Sequence, residues 1–357
     1  MKYGKIPKKD MVKENGKYPV FSGYRIVGYC DECNLDKQQL IVVARGVGGT
    51  GDVKLSPGAC FLTNLSIAVI IDENIALKQY LFYYFQKHNL RYLDSGSAQS
   101  QITIADLKNI VLPIPPLEIQ SKIVEILSSF DDKIELNNKI NENLYTQAKS
   151  IFDHYFLYID YIPDKWNRGN LLDIANFLNG LAMQKFRPQN SEAGLPVLKI
   201  KELRQGSCDT NSERCSPSIK PEYIVKDGDV IFSWSGSLLV DIWCGGTCGL
   251  NQHLFKVTSD TYDKWFYYMW TAHHLDRFIA IAADKATTMG HIKREELAKA
   301  EVLIPSKEDY DKISALMTPI FELIIINRLE ARKLANLRDE LLPKLMSGQI
   351  DVSDILI

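Results

Sequence analysis

The sequence predicts an α+β fold with an internal pseudo-two-fold repeat, in which two mixed domains are separated by two long antiparallel coiled-coil helices. One observation behind this prediction is that segments recur about 190 positions apart, as residues 111–115 do at 301–305. Another is that each copy contains a long stretch in which apolar residues recur every three or four positions. A chain that repeats itself in this way can perform one task at two places.

The composition fits a cytoplasmic protein of two domains. The chain has 357 residues, of which 46% are apolar and 24% charged, and this length is typical of two cores. No apolar run reaches the ~18 residues that a membrane span needs, and the first residues lack the pattern of a signal peptide. The net charge of −2 excludes a uniformly basic protein, but a local basic face would suffice to bind nucleic acid. The seven cysteines are expected to be reduced, because there is no secretion signal.

Each copy is predicted to contain a strand-rich segment followed by a helical one. Short apolar runs bounded by turn residues predict strands, and aromatic-rich runs predict a buried helix. A short helix and an apolar segment that contains proline come before the long helix. The matched predictions are strands at residues 40–44 and 229–233, strands at 67–71 and 254–257, aromatic helices at 79–85 and 264–270, and short helices at 105–108 and 295–299.

The long helices have the most regular pattern. From Ile123 to Tyr155 and from Ile313 to Leu345, mostly apolar residues recur in alternating steps of four and three. A mean period of about 3.5 residues is typical of a coiled-coil seam. At ~40 residues and ~1.5 Å per residue, each helix would be ~60 Å long. Pro319 lies inside the second helix, where we expect a kink or a late start.

Asn137 and Asn327 occupy the same position in the two helices, and both fall on the predicted seam. A buried asparagine in a seam lowers stability, but it pairs with a second asparagine and sets the register of the helices. The alternative is that both side chains lie in water at the edge of the seam. If the two asparagines pair across an internal two-fold axis, the helices must be antiparallel.

No pattern in the sequence indicates a catalytic or metal site. The glycine-rich residues 46–51 lack the residues that complete a phosphate-binding loop and are interpreted as a hairpin turn. Cys30 and Cys33 have the spacing of metal ligands, but zinc needs four ligands, and the two copies are predicted to share no cysteine positions. The acidic pair Asp131 and Asp132 is interpreted as part of a solvated helix face.

Polar and basic residues near strand ends and in two loops indicate a nucleic-acid interface. Lysine, arginine, serine, threonine and glutamine are the side chains that contact phosphates and base edges. The loops follow the aromatic helices, at residues 95–101 and 285–291. Taken singly, each residue is more simply an ordinary surface residue. The candidates are Lys8, Lys9, Arg25, Arg45, Ser97, Gln99 and Gln101 in the first copy, and Lys185, Arg187, Lys199, Lys201, Arg204, Thr287, Thr288 and His291 in the second.

The chain resembles the DNA-specificity subunits of type I restriction-modification systems over nearly its whole length. The resemblance rests on residues 112–120 (LPIPPLEIQ) and 127–141 (LSSFDDKIELNNKIN). It also rests on residues 166–174, which look like the opening of a domain in this family, and on residues 341–348 (LLPKLMSG), which look like its closing segment. Together these motifs form a specific set.

This resemblance implies a non-catalytic subunit that binds double-stranded DNA and reads a bipartite target through two recognition domains. The helices would act as a ruler and as the docking platform for two methyltransferase (modification) subunits, with a restriction/translocase subunit as a further partner. S-adenosylmethionine, ATP and Mg²⁺ would belong to those partners, so that this chain needs no cofactor. Two unlike domains on a rigid helix pair should read two unlike half-sites whose centres lie ~34 Å apart.

The resemblance divides the chain into five segments. They are target-recognition domain 1 at residues 1–115, spacer helix 1 at 116–157, target-recognition domain 2 at 158–305, spacer helix 2 at 306–347 and a C-terminal tail at 348–357. Gly4 corresponds to Gly180, so we expect the first domain to lack the opening strand that precedes Gly180 in the second. We expect the tail to pack on the first domain; a truncated or misassigned start is the alternative.

Two other functions are compatible with parts of the sequence. The missing opening strand favours a scaffold that binds methyltransferase subunits and has weak or lost DNA recognition. An enzyme with an unrecognised site is disfavoured, because the motifs of known active sites are absent from the sequence. Partner binding without enrichment of any DNA sequence would indicate the scaffold, and activity of the isolated chain would indicate the enzyme.

Overall fold

The computed structural model of the chain describes residues 1–23, 25–46, 49–94, 100–189, 193–284 and 291–355. The chain forms two compact units, of which the first contains residues 1–132 and 335–357 and the second contains residues 133–334. Each unit therefore consists of one mixed domain together with part of both long helices. The predicted α+β class, the two long helices and the internal repeat are confirmed.

In the first unit, the described part of the mixed domain folds into two small sheets. Its elements are β1 (Lys2–Tyr3), β2 (Tyr18–Ser22), β3 (Arg25–Cys30), β4 (Leu40–Val43), β5 (Val53–Leu55), β6 (Phe61–Leu62), β7 (Ser66–Val69), α1 (Lys78–Lys87) and α2 (Ile104–Lys108). One sheet is antiparallel with the order β1-β7-β4-β5, and the other has the order β3-β2-β6 with β2 and β6 parallel. The first long helix, α3 (Leu117–Phe152), follows.

The second unit repeats this arrangement with additional strands and helices. Its elements are β8 (Asn167–Asn170), α4 (Leu171–Ile174), β9 (Asn176–Asn179), β10 (Leu195–Leu198), α5 (Ile200–Gln205), β11 (Arg214–Cys215), β12 (Ile224–Val225), β13 (Val230–Ser233), β14 (Leu239–Ile242), β15 (Cys248–Leu250), β16 (Leu254–Thr258), α6 (Lys264–His273), α7 (Leu275–Asp284), α8 (Arg294–Ala298) and β17 (Glu301–Ile304). The second long helix, α9 (Lys307–Met346), follows. The strands and short helices predicted in both copies are thus confirmed to within a few residues.

The larger sheets of the two units have the same order and the same register. The order β5-β4-β7-β1 in the first unit matches β14-β13-β16-β9 in the second. Val43 pairs with Ser66 at the end of β4, as Ser233 pairs with Leu254 at the end of β13. This shared register makes it possible to match residues of the two units one by one beyond the strand ends.

Gly4 and Gly180 are structurally equivalent, as the sequence predicted. A Cβ atom on Gly4 would overlap the carbonyl oxygen of Thr63, and one on Gly180 would overlap the carbonyl oxygen of Asn251. Both glycines lie at the same point, where the chain next to β1 or β9 crosses the segment before β7 or β16. Only glycine permits so close an approach of two backbones.

The two units also share cysteine positions, which the sequence comparison missed. Cys30 pairs with Tyr18 as Cys215 pairs with Leu195, and Cys60 and Cys248 each precede the residue that starts the parallel pairing with β2 or β10. The expectation of unshared cysteines is therefore wrong, because loops of different length shift these positions by different amounts in the two copies. Burial raises the pKa of the Cys60 thiol to about 11, which keeps it a protonated packing residue.

The long helices follow the predicted seam. All the seam residues between Ile123 and Tyr155, and between Ile313 and Leu345, are buried or half-buried. Helix α9 runs without interruption through Pro319, whose side chain is exposed. A late start of the second helix is therefore wrong.

One strand pair of the second unit has no counterpart among the described residues of the first. In the second unit, β17 pairs with β8 in antiparallel register over four residue pairs. The equivalent residues 111–114 of the first unit are not in a strand, and Val111 is 92% exposed. Residues 111–114 therefore have no strand partner within the part of the chain that the structure describes.

The C-terminal tail lies against the first unit. Val352 is 2% exposed and belongs to the same apolar core as Leu40, Tyr80 and Ile123. Lys122 Nζ also donates to the backbone carbonyl of Ser353 at 2.6 Å. The tail therefore packs into the core of this unit as far as Val352.

The buried histidine His274 makes the stability of the second unit depend on pH. Its side chain is 8% exposed, and Nε2 donates to the carbonyl of Glu301 at 2.8 Å. Burial lowers the pKa of His274 from 6.5 to about 4, and the charges of His273 and Arg277 act in the same direction. As the pH falls, the unfolded chain binds the proton first, so the second unit should lose up to about 3 kcal/mol of stability between the unfolded and folded pKa values.

Replacing His274 with glutamine is expected to remove this part of the pH dependence, because glutamine can still donate to the Glu301 carbonyl. All five tryptophans of the chain lie in the second unit, so tryptophan fluorescence during urea unfolding at pH 7, 5.5 and 4.5 reports on it selectively. As the pH falls from 7 to 4.5, the unfolding free energy of wild type should decrease more than that of the variant. An unchanged difference between the two proteins at all three pH values would contradict the assignment.

Candidate nucleic-acid interface

In both units, the polar loop that follows the aromatic helix returns to the end of the central strand of the larger sheet. Arg45, just after β4, forms a backbone bridge with Gln101, and Ser235, just after β13, forms one with His291. The next residue of each loop also donates its backbone N–H to a backbone carbonyl. Ile102 donates to Ala44 and Ile292 donates to Trp234, both at 2.9 Å. The two loops therefore end at equivalent places, although their side chains differ.

Of the residues predicted to contact DNA in the first unit, the described fold places two that are far apart in the sequence next to each other. Arg45 and Gln101 are adjacent through their backbone bridge. Lys8 forms an exposed ion pair with Glu32 at 3.4 Å, and Lys9 is exposed beside it in a turn. Arg25 is exposed at the start of β3. Ser97 and Gln99, like Thr287 and Thr288 of the second unit, lie outside the described residues.

The predicted cations of the second unit cluster around the short helix α5. Lys199 directly precedes this helix, and Lys201 and Arg204 are exposed on it. Arg187 and Lys199 both pair with Glu213, which lies 2.6 Å from the arginine. Lys185 lies close by in the sequence, in the short 3-10 helix Met183–Lys185.

Glu213 holds two of these cations in place. The hydrogen bond from Lys199 keeps the pKa of Glu213 below its ordinary value, and the charge of Arg187 acts in the same direction. The side chains of Arg187 and Lys199 nevertheless stay 57% and 44% exposed. They are therefore fixed in position and still accessible to a phosphate, whose attraction for such cations dominates non-specific DNA affinity.

Asn137 and Asn327 are buried, so the alternative of solvated asparagines at the seam edge is wrong. Their relative exposures are 0% and 7%. They do not pair through both side chains: Asn327 Nδ2 donates to Asn141 Oδ1 at 2.9 Å, whereas Asn137 Nδ2 donates to Glu330 at 2.7 Å. Asn137 of α3 contacts Glu330 of α9, and Asn141, one turn later on α3, contacts Ile324, which comes earlier on α9. The two helices are therefore antiparallel in this unit.

The two asparagines should differ in what they contribute. Replacing Asn327 with leucine leaves the side-chain Oδ1 of Asn141 without its donor and should cost about 1–3 kcal/mol. Replacing Asn137 with leucine should cost much less, because its buried Oδ1 has no hydrogen-bond partner among the described residues and Glu330 retains Lys133 at 3.4 Å. Urea unfolding followed by tryptophan fluorescence measures both.

The double variant at Asn137 and Asn327 tests whether they set the register. A seam without these amides should permit more than one alignment of the helices. Equal costs for the two single changes would contradict the hydrogen-bond assignment. Unchanged partner assembly and half-site spacing in the double variant would contradict the register role itself.

Arginines of α9 bind the mixed domain in the second unit and an acid of α3 in the first, which the sequence analysis missed. In the second unit, Arg328 Nη1 donates to Asp241 Oδ1 and to the carbonyl of Ile242, both at 2.8 Å. In the first unit, Arg338 pairs with Asp131, which also accepts from the hydroxyl of Tyr83 at 2.6 Å. The interpretation of Asp131 as part of a solvated face is therefore wrong.

Trp234 and His253 are further residues near the interface that the sequence analysis missed. Trp234 follows β13 directly, and its Nε1 donates to Asn179 Oδ1 at 2.9 Å. The only signal in the sequence is that Trp234 falls about 190 positions after Ala44, a small residue at the matching place. A tryptophan in one domain and an alanine at the matched strand end of the other give the two domains different surfaces at this position.

Within the described ranges, no group of three or more histidine, cysteine or acidic residues is placed to hold a metal ion. In the same part of the chain, none of the helices combines the length and the apolarity that crossing a membrane requires.

One fold used twice, with unlike side chains at matched strand ends, is the architecture of a two-domain recognition protein. Residues 1–146 and 163–336 match the family described as the type I restriction modification DNA specificity domain. The chain therefore belongs to this family, which confirms the resemblance seen in the sequence. Its role is that of a non-catalytic DNA-recognition subunit with two recognition domains.

Individual relatives agree with this assignment, and a solved structure shares the fold. The chain is 27% identical to the type I restriction enzyme MjaIX specificity subunit of Methanocaldococcus jannaschii, over 91% of this chain and 81% of that protein. It is 20% identical to the HindI specificity subunit of Haemophilus influenzae, over 78% and 79% of the two chains. Its fold is similar to the crystal structure of a type I restriction-modification S subunit from M. genitalium, with a TM-score of 0.61 at 17% identity over 96% of this chain and 92% of that one.

Proposed function

We propose that this chain reads a bipartite double-stranded DNA target, with each mixed domain contacting one half-site. The observation that carries this proposal is the shared register of the two larger sheets, which places different side chains at the same strand ends. Arg45 and Gln101 stand in the first unit where Ser235 and His291 stand in the second. Equivalent scaffolds with unlike contact residues are suited to two unlike half-sites.

Two methyltransferase subunits would dock on the long helices, and a restriction/translocase subunit would complete the complex. Support comes from Leu136 on α3 and Ile326 on α9, which are matched by the repeat and are 50% and 59% exposed. Exposed apolar residues at two equivalent places suit two copies of one partner. S-adenosylmethionine, ATP and Mg²⁺ would be held by those partners, in the cytoplasm where the DNA is.

The test is to select binding sites with the assembled complex. The full chain would be purified with its methyltransferase partner and mixed with a DNA library that contains a long random window. The expected result is enrichment of two short motifs separated by a spacer of constant length. Binding of the partner with no enriched motif would overturn the proposal.

The alternative is a methyltransferase-binding scaffold with weak or lost DNA recognition. The observation that favours it is that residues 111–114 of the first unit have no strand partner among the described residues, whereas the second unit has the pair β8–β17. The same selection separates the two functions. Enrichment of a single motif would show that only one domain reads DNA, and none at all would support the scaffold.

A further inference from the structure

An aromatic cluster in the second unit lies where the returning loop meets the strand ends. The ring of Trp234 is 5.3 Å from the ring of His291 and 6.1 Å from that of His253, measured between centroids. All three side chains are half-buried. The hydrogen bond from Trp234 Nε1 to Asn179 orients the indole between the two imidazoles.

Both imidazoles of this cluster have an unused ring nitrogen. The Nδ1 atoms of His253 and His291 are buried and make no hydrogen bond with any described residue. The amide nitrogen of Gln252 lies 3.3 Å from His253 Nε2 and can only donate, so the ring proton of His253 is assigned to Nδ1. A buried donor without a partner costs free energy. If the imidazole ring turns towards a ligand, an acceptor on that ligand can bind Nδ1–H and recover this free energy.

The first unit lacks this cluster at the same places. Since Val43 matches Ser233 and Ser66 matches Leu254 in register, Ala44 corresponds to Trp234 and Leu65 to His253. The backbone bridges match Gln101 to His291. One unit therefore presents an aliphatic and amide surface, and the other an aromatic and imidazole surface, on the same backbone.

We propose that Trp234, His253 and His291 form the base-reading surface of the second recognition domain. The inference rests on the proposed function and deepens it, because it names the residues that make the second half-site differ from the first. The contacted base would offer an acceptor in the major groove, such as a purine N7, to the imidazole donor. None of the three residues carries a permanent charge, so they contribute to sequence readout and little to salt-dependent affinity.

The test exchanges residues between the two units. His253→Leu and His291→Gln place the first unit's residues in the second, and Gln101→His makes the reciprocal change. Each complex would be put through the same selection from a random library. The two changes in the second unit should lower discrimination in one half-site by roughly 5- to 150-fold per contacted base pair, and leave the other motif and the spacer as they were. Gln101→His should alter the other motif only.

Salt dependence and folding separate this role from others. The slope of log K against log salt should stay the same in the His253 and His291 variants, because no phosphate contact is lost. The urea midpoint of unfolding and partner binding should match wild type. Trp234→Phe removes the indole N–H and one of its two fused rings but keeps an aromatic side chain, and it should shift selectivity in the same half-site. If wild type enriches two motifs and all these variants enrich the same two, this inference is wrong and the proposed function stands. If wild type enriches none, the proposed function fails first.

Discussion

Replacing Phe152 with alanine should lower the free energy of unfolding of the second unit by about 3–5 kcal/mol. Phe152 is the last residue of α3 and is 1% exposed. Its ring lies 5.0 Å from that of Phe156 and 5.0 Å from that of Trp270. Removing it leaves a cavity between the end of the long helix and the aromatic core, which a rigid packing cannot fill.

Urea unfolding followed by tryptophan fluorescence measures this loss, since every tryptophan lies in the second unit. Tyr161→Ala is the matched control, because Tyr161 is an aromatic residue of the same unit that is 79% exposed, and its loss should change stability by less than about 0.5 kcal/mol. A loss below about 1 kcal/mol for Phe152→Ala would show that the helix end does not belong to this core.

The largest functional effect is expected from the cations around α5. Changing Lys199, Lys201 and Arg204 together to alanine should weaken DNA binding by the assembled complex on the order of 10- to 1,000-fold at low salt. The slope of log K against log salt should become less steep by about 2.7, if each cation contacts one phosphate. The loss should be similar for all DNA sequences, because phosphate contacts carry no sequence information.

The control replaces lysines of α9 that are at least as exposed as Lys199 and Lys201 but lie outside the predicted interface. Lys307 and Lys312 have side chains 84% and 64% exposed, and each is paired with an acid one turn away. Their change to alanine should leave DNA affinity and its salt slope nearly unchanged. Equal losses in the two variants would mean that α5 contributes only general charge. An unchanged slope in the α5 variant would remove these residues from the interface.

The long helices could be predicted well because their pattern is local. Residues three and four apart lie on one helix face, so the seam from Ile123 to Tyr155 can be read directly from neighbouring positions. The strands next to glycine-rich turns were predictable for the same reason. The helix that continues through Pro319 was not predicted, because whether a helix continues through a proline depends on how its neighbours pack.

The site was harder to predict, because it depends on contacts between distant residues. Asp131 looked like a solvated acid until the fold placed Tyr83 and Arg338 beside it. The matched cysteines Cys30 and Cys215 were hidden, because loop lengths differ between the copies while strand register does not. The predicted contacts Ser97, Gln99, Thr287 and Thr288 lie outside the described residues and stay predictions.

The sequence by itself determined the repeat, the family motifs and the two seams, since these are properties of residues read in order. Only the tertiary structure decided which residues of the two copies are equivalent, and that the side chain of Asn327 donates to Asn141 while Asn137 reaches only the backbone carbonyl of Asn327. It also decided that Trp234 lies between two histidines far from it in the chain. The physical reason is that helix periodicity acts over a few residues, whereas strand register and loop return join residues tens of positions apart.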